Sequence, residues 1–293
     1  MSFPDCTIHD VEQRTEEWFQ LRRGRLTGSQ MGSWLAEAPK VRLTIAEMKT
    51  ELAGQGILFD KSAKKDDLIE LLPNPGEFLT LTEATKSARK TAICKILGDL
   101  SGCPQKPDFE VDPTGPPPRS ASAFPIWRGM VLEPYAQEEF EERKGLKVEE
   151  IGFCSWNDGK ISVSPDGRIL GTNTGWETKA PDPHTHSRYL LDGKLPEKYE
   201  PQVHGSMAAT GADSWYFMSY CPRWRWREDL KEIEILSGGM PPLIIEVKRS
   251  ELTERYLDGF SSFQVDFEEK LRRMALLCTK PDFKKLSETE SLV

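Results

Sequence analysis

The chain has 293 residues, 38% of them hydrophobic and 29% charged, with a formal net charge of −8. This balance suits one large globular domain, with or without a small module. No apolar run approaches the about 20 residues of a membrane span, and the acidic total argues against a protein that coats nucleic acid through dense Lys and Arg. A local basic channel within an acidic whole stays open. The stretch Met1-Ser2-Phe3-Pro4-Asp5 is not a basic segment followed by an apolar one, so no signal peptide is expected. Cys6, Cys94, Cys103, Cys154, Cys221 and Cys278 lie far apart without a CxxC pair. That spacing points to reduced thiols in a cytoplasm, not to disulfides or a zinc knuckle.

Thr15 to Leu35 reads as a helix, a break and a second helix, with Arg22, Arg23 and Arg25 clustered around Gly24 and Thr27-Gly28-Ser29 as a cap. Residues 40–75 form a different pattern. Thr44 and Glu47 make a capping box, Ile45, Met48 and Leu52 share one helical face, and Gly56 stops that helix. Lys64 and Lys65 open a second helix, which Pro73-Asn74-Pro75-Gly76 ends. Thr82 to Leu100 reads as a helix, the Pro-rich residues 101–125 as a loop, and Trp127 to Lys144 as a long helix. Strands are expected at 147–155, 160–165, 174–180, 214–221 and 243–248, and helices at Tyr199–Thr210 and 262–278. Helices followed by strands with a crossover helix indicate an α/β (α+β) domain.

The segment that carries chemistry is Ser164-Pro165-Asp166-Gly167 followed by Trp176-Glu177-Thr178-Lys179. Pro-Asp-Gly turns the chain between strands. Side chains two apart on a strand share a face, so Glu177 and Lys179 point the same way, and pairing of the two strands brings Asp166 beside them. Two carboxylates and an ammonium then converge. Mg²⁺ takes oxygen ligands and retains exchangeable waters, so Asp166 and Glu177, with the Thr178 carbonyl, suit metal-assisted phosphodiester hydrolysis. Lys179 beside cations would have a lowered pKa and could orient or deprotonate the attacking water. The alternative for these residues is an ordinary hairpin turn and a solvated strand pair. Glu246-Val247-Lys248 repeats the Glu-x-Lys spacing without a Pro-Asp turn and reads as a structural strand end.

Several other residues bear on the site. Glu133 lies on the long helix, where it could face the carboxylates, and Gln202 lies near the start of another. Arg223, Arg225 and Arg227 alternate with Trp224 and Trp226 on a strand, which gives either an arginine face on DNA backbone or a solvated face over packed aromatics. His184 and His186 lie in a Pro-rich loop without a third ligand and read as solvated; His204 packs or hydrogen-bonds near Gln202.

Six ordered blocks carry a resemblance: Thr15-Glu16-Glu17-Trp18 through Ser29, Gly129-Met130-Val131-Leu132-Glu133-Pro134, Ser164-Pro165-Asp166-Gly167, Glu177-Thr178-Lys179, Pro201-Gln202-Val203-His204-Gly205-Ser206-Met207 and Trp215-Tyr216-Phe217. Over about 15–39 and 82–255 the chain resembles the lambda exonuclease family, the YqaJ-like viral recombinases. The resemblance implies a PD-(D/E)XK, restriction-endonuclease-like core: a central mixed sheet flanked by helices, here over 1–39 and 76–293, with residues 40–75 as an insertion. That insertion resembles the SAP and helix-extended-helix modules, many of which bind DNA.

The same resemblance implies a DNA exonuclease that degrades the 5′-ended strand of linear duplex and leaves 3′ single strands for an annealing protein in recombination. The alternatives are a structure-specific endonuclease and an inactive DNA-end-binding module. Asp166 and Glu177 would hold Mg²⁺, or Mn²⁺ in its place, with Asp166 bridging two ions. Glu133 would reach the metals directly or through water, Lys179 would position the water, and Gln202 would support the site. Arg22 would hold the 5′-phosphate with Ser29 and Ser164 as hydroxyl donors. Arg23, Arg25, Lys64, Lys65, Arg223 and Arg225 are weaker candidates for the DNA backbone. Relatives imply a homo-oligomer, a ring-shaped trimer around DNA, in a bacterial host cytoplasm for a phage protein.

Overall fold

The computed structural model describes residues 3–34, 40–74, 79–80, 83–100, 111–156 and 159–277. The chain divides into two compact units, one formed by Met1–Gly32 with Ile93–Val293, the other by Ser33–Ala92.

In chain order the elements are β1 (Cys6–His9), α1 (Glu16–Arg22), β2 (Leu26–Thr27), a 3₁₀ turn at Gly28–Gln30 and α2 (Met31–Trp34). Next come β3 (Lys40–Val41), α3 (Ile45–Gly54), α4 (Lys65–Leu71), β4 (Leu79–Thr80) and α5 (Glu83–Leu100). Then follow α6 (Ala123–Lys144), β5 (Val148–Glu149), β6 (Phe153–Trp156), β7 (Ile161–Val163), β8 (Gly167–Ile169) and β9 (Thr174–Lys179). The chain continues with α7 (Pro183–Asp192), α8 (Glu200–Thr210), β10 (Ser214–Ser219), β11 (Arg223–Arg227), β12 (Glu232–Leu236), β13 (Leu243–Lys248) and α9 (Glu251–Leu277). No helix among the described residues is long and apolar enough to cross a membrane.

In the larger unit the described residues form a sheet ordered β1-β6-β7-β2, a second ordered β13-β10-β9-β8-β5 and a two-stranded sheet of β11 and β12. The second is mixed. β8 and β9 pair antiparallel, β9 and β10 parallel with Glu177 opposite Phe217, and β10 and β13 antiparallel. The core on this sheet joins Trp127, Leu132, Ala136 and Phe140 of α6 to Trp176, Met218 and Ile233. Trp224 and Trp226 pack against the same cluster, so the alternating β11 does turn its tryptophans inward. At Gly175 a Cβ would stand 2.3 Å from the Trp215 ring, so only glycine lets the sheet close over that indole.

Several boundaries differ from the sequence expectation. The strand expected at 147–155 is two strands in different sheets, β5 and β6, with residues 150–152 in neither; Gly152 passes so close to Val11 that a Cβ would lie 1.7 Å from its carbonyl oxygen. β8 separates Asp166 from the Glu177 strand. The Pro-rich loop expected around His184 and His186 is a helix, α7: Asp182 caps it by accepting from the Thr185 amide at 2.9 Å, Pro183 opens it, and left-handed Gly193 closes it. α6 and α9 begin earlier than expected, at Ala123 and Glu251. In α9, Tyr256, Phe260, Phe263, Phe267 and Leu271 keep the helical three-to-four spacing of a buried stripe. Of the loop expected at 101–125, residues 101–110 lie outside the described residues. Cys6, Cys94, Cys154 and Cys221 are free thiols; Cys103 and Cys278 lie outside the described residues.

The smaller unit has its own core of Val41, Met48, Leu52, Leu68 and Leu72. The Thr44–Glu47 capping box forms, with the Thr44 amide donating to Glu47 Oε2 at 2.7 Å. β3 and β4 pair antiparallel and bring the two ends of the helical pair together.

Candidate active site

Asp166 sits on the turn between β7 and β8. Its Oδ2 accepts from the Thr178 amide at 2.7 Å, which ties the turn to β9. A strand residue directs its N–H and C=O to the same edge, so the Thr178 carbonyl also leaves β9 on the Asp166 side. Glu177 and Lys179 share the opposite pleat position, as their spacing requires, and their Oε1 and Nζ form an ion pair. Gln202, in the first turn of α8, donates to the same Glu177 Oε1 at 2.6 Å. Glu133 comes from the middle of α6, and its Oε2 lies 3.7 Å from the Arg14 guanidinium.

Glu133, Asp166, Thr178, Lys179 and Tyr199 are among the walls of an open cleft of about 390 Å³. A second cleft of similar size shares Arg14, Glu133 and Asp166 with it, so the two are lobes on either side of the acids. Glu177 lies behind the wall at 2% exposure.

The electrostatics are those of crowded carboxylates. Burial, then the Asp166 charge, pushes Glu133 up to about 7, against the pull of Arg14 and Lys179. Burial, then Asp166, pushes Glu177 up to about 8, although Lys179 opposes both. The lowered Lys179 pKa expected beside bound cations is a different case from Lys179 among carboxylates alone. Burial alone would lower it, but Glu177 and Asp166 outweigh burial and hold the ammonium protonated. The lowered value presupposed cations as neighbours; here its neighbours are carboxylates.

Among the described residues no three His, Cys, Asp or Glu side chains form a ready cation cage. The donor set nonetheless fits a hard divalent ion. It offers Asp166, Glu177 and Glu133 oxygens and a main-chain carbonyl, and the Asp166 charge helps raise the pKa of both Glu133 and Glu177, a repulsion that a cation relieves. Glu177 at present spends its Oε1 on Lys179 and Gln202.

Arg22 stacks on Trp18 with its guanidinium carbon 4.2 Å from the ring centroid. Burial lowers its pKa, and among the described residues no carboxylate pairs with it. Trp18 in turn donates its indole N–H to Ser164 Oγ and to the Gly152 carbonyl, each at 3.1 Å. A desolvated arginine is thereby linked to the strand end that leads into Asp166. Ser29 is exposed, with its Oγ 3.4 Å from Thr27 Oγ1.

The weaker candidates have local partners. Arg23 donates to the Asp99 carbonyl at 2.9 Å, and Arg25 lies over the Phe153 ring at 5.4 Å. Lys64 caps α4, and Lys65 donates to the Val41 carbonyl at 3.2 Å. Arg223 donates to the Ser237 carbonyl at 3.2 Å, Arg225 pairs with Glu234 at 2.7 Å, and Arg227 pairs with Asp229 and Glu234.

His184 is exposed, as expected, but the expectation of a solvated His186 is corrected. His186 is buried and shares hydrogen bonds with Ser219 Oγ at 2.8 Å and the Pro241 carbonyl at 3.0 Å, which engage both ring nitrogens. His204 bonds Thr253 Oγ1 at 2.9 Å. Glu246 and Lys248 pair on the exposed edge strand β13, with the spacing of Glu177 and Lys179 but no buried carboxylate around them. The residue that sequence reading missed is Arg14, whose position depends on a backbone conformation that residue type does not announce.

A mixed sheet with an Asp on a turn and Glu-x-Lys on the adjoining strand defines the PD-(D/E)XK class of nuclease. The chain belongs to the YqaJ-like viral recombinase domain family, whose model matches residues 17–213. An alkaline exonuclease from Laribacter hongkongensis superposes with a TM-score of 0.51 at 20% identity, over 90% of this chain and 100% of that one. Its complex with dAMP gives the same values. A phage-related exonuclease from Haemophilus somnus matches at TM-score 0.46 and 13% identity, over 85% of this chain and 96% of that one. Among proteins of curated function, none matches the sequence significantly. The family supports a nuclease role acting on DNA.

Proposed function

We propose that the protein is a Mg²⁺-dependent exonuclease that degrades the 5′-ended strand of linear duplex DNA and leaves a 3′ single strand for annealing. The observation that carries this reading is Arg22: desolvated over Trp18, without a carboxylate, and linked through Ser164 to the chain leading into Asp166. A guanidinium so held suits a terminal phosphate, which it can grip in two parallel hydrogen bonds.

Asp166, Glu177 and the Thr178 carbonyl would hold Mg²⁺, with Glu133 in support. The ion supplies charge for the phosphoryl transition state and acidifies water. The chain's own residues do the rest. Gln202 fixes the Glu177 carboxylate, and Lys179, kept protonated, orients the attacking water and meets developing charge on the phosphate. Residues 40–75 are read as an insertion beside the nuclease domain of 1–39 and 76–293.

The test is the rate on duplexes with 5′-phosphate or 5′-hydroxyl ends. The wild type should prefer the phosphate, and Arg22→Ala should lose that preference by roughly 10- to 100-fold, the worth of a charge-assisted hydrogen bond. A mutant that keeps the full preference moves the phosphate pocket elsewhere.

A further inference from the structure

We infer that Arg14 binds substrate phosphate: paired with Glu133 in the free protein, its guanidinium takes a phosphodiester oxygen of DNA lying across the cleft. The inference rests on the nuclease reading above and adds to it a residue from outside the metal and end-binding sets.

Arg14 holds φ at 69°, in the left-handed region that favours glycine. The other such non-glycine residue among those described, Lys231, lies in the exposed turn between β11 and β12 and lines neither of the two lobes. Arg14 is held there from both sides. Gln13 donates through Nε2 to the Ile151 and Pro165 carbonyls, each at 2.9 Å. Thr15 caps α1 and donates its hydroxyl to the Glu12 carbonyl at 2.8 Å. The turn is therefore pinned to the Pro165-Asp166 corner, and a side chain leaving it is aimed at the acids.

What Arg14 gains within the protein does not explain the strain. Its ion-pair partner among the described residues is Glu133 at 3.7 Å, a single contact made by a side chain 46% exposed. Exposed pairs of that kind contribute little to stability. Strained conformations that persist without such a return cluster at functional sites.

The charge around it supplies the use. The second lobe is lined by Asp10, Glu12, Glu133, Glu150 and Asp166, with Arg14 as the one cation among its described lining residues. A polyanion entering such a lobe meets repulsion that this guanidinium can offset. Arg14 also lines the first lobe, so one side chain can follow a phosphate from either side of Asp166.

The test uses Arg14→Gly and Arg14→Lys in the full chain. Affinity for a fluorescent blunt duplex is measured with Ca²⁺ in place of Mg²⁺ at several salt concentrations, and melting is measured without DNA. Arg14→Gly should weaken binding by about tenfold and lower the salt slope by about one counterion. Its Tm should equal or exceed the wild-type value, because glycine relieves the positive φ. Arg14→Lys should keep the slope. Wild-type affinity and slope in Arg14→Gly would overturn the inference, and so would a fall in Tm matching the loss of binding, which would assign Arg14 to the fold. A wild-type protein that neither binds nor cuts duplex DNA would sink the nuclease reading itself, whereas a wild type that cuts while Arg14→Gly binds equally well sinks only this one.

Discussion

Asp166→Asn is expected to stop hydrolysis, with a rate loss on the order of 10³-fold or more, while the chain stays folded. The asparagine oxygen can still accept from the Thr178 amide, so the tie between the turn and β9 survives. What disappears is the negative charge that helps raise both Glu133 and Glu177. Those two carboxyls should fall toward ordinary values, but the cation loses a ligand at the point where the two lobes meet. Nucleotide release and a thermal melt are to be measured on the same preparation. Turnover close to wild type would mean that the site lies elsewhere.

Lys179→Met carries the second large effect. The ammonium is the ion-pair partner of Glu177, which is 2% exposed. Removing one member of a buried pair typically costs about 3–5 kcal/mol when the other stays charged. Burial and Asp166 already push Glu177 up, and the methionine removes the ammonium that opposes them, so the carboxyl is held neutral and the stability loss stays below that range. The rate should fall by roughly 10²- to 10⁴-fold, as for a lost proton-handling or orienting group. Arginine should not restore it, because its fork cannot occupy the point position of an ammonium. Lys179→Met with a wild-type kcat would remove the lysine from the mechanism.

Much of the candidate site was legible because it is local. Pro165-Asp166-Gly167 announces a turn, and Glu177 and Lys179 lie two apart on a strand whose apolar neighbours mark it as buried. Gln202 follows Pro201 at a helix start, where its side chain can project from the first turn. The parts that were missed depend on distant contacts or very short elements. β8 is three residues long and β3 and β4 two each, too short for any period to show. α7 could have been read from Asp182, Pro183 and Gly193, but the prolines around it favoured a loop. The Arg14 conformation follows from Gln13 reaching carbonyls more than a hundred residues away.

The central claim is metal-dependent digestion from a DNA end. Wild-type protein incubated with end-labelled linear duplex and with covalently closed circular duplex, each in Mg²⁺ or in EDTA, tests it most directly. Mg²⁺ is expected to support digestion of the linear duplex from 5′-phosphorylated ends, leaving 3′ single strands, while the circle survives and EDTA stops the reaction. Equal cleavage of the circle, or full activity in EDTA, would contradict it.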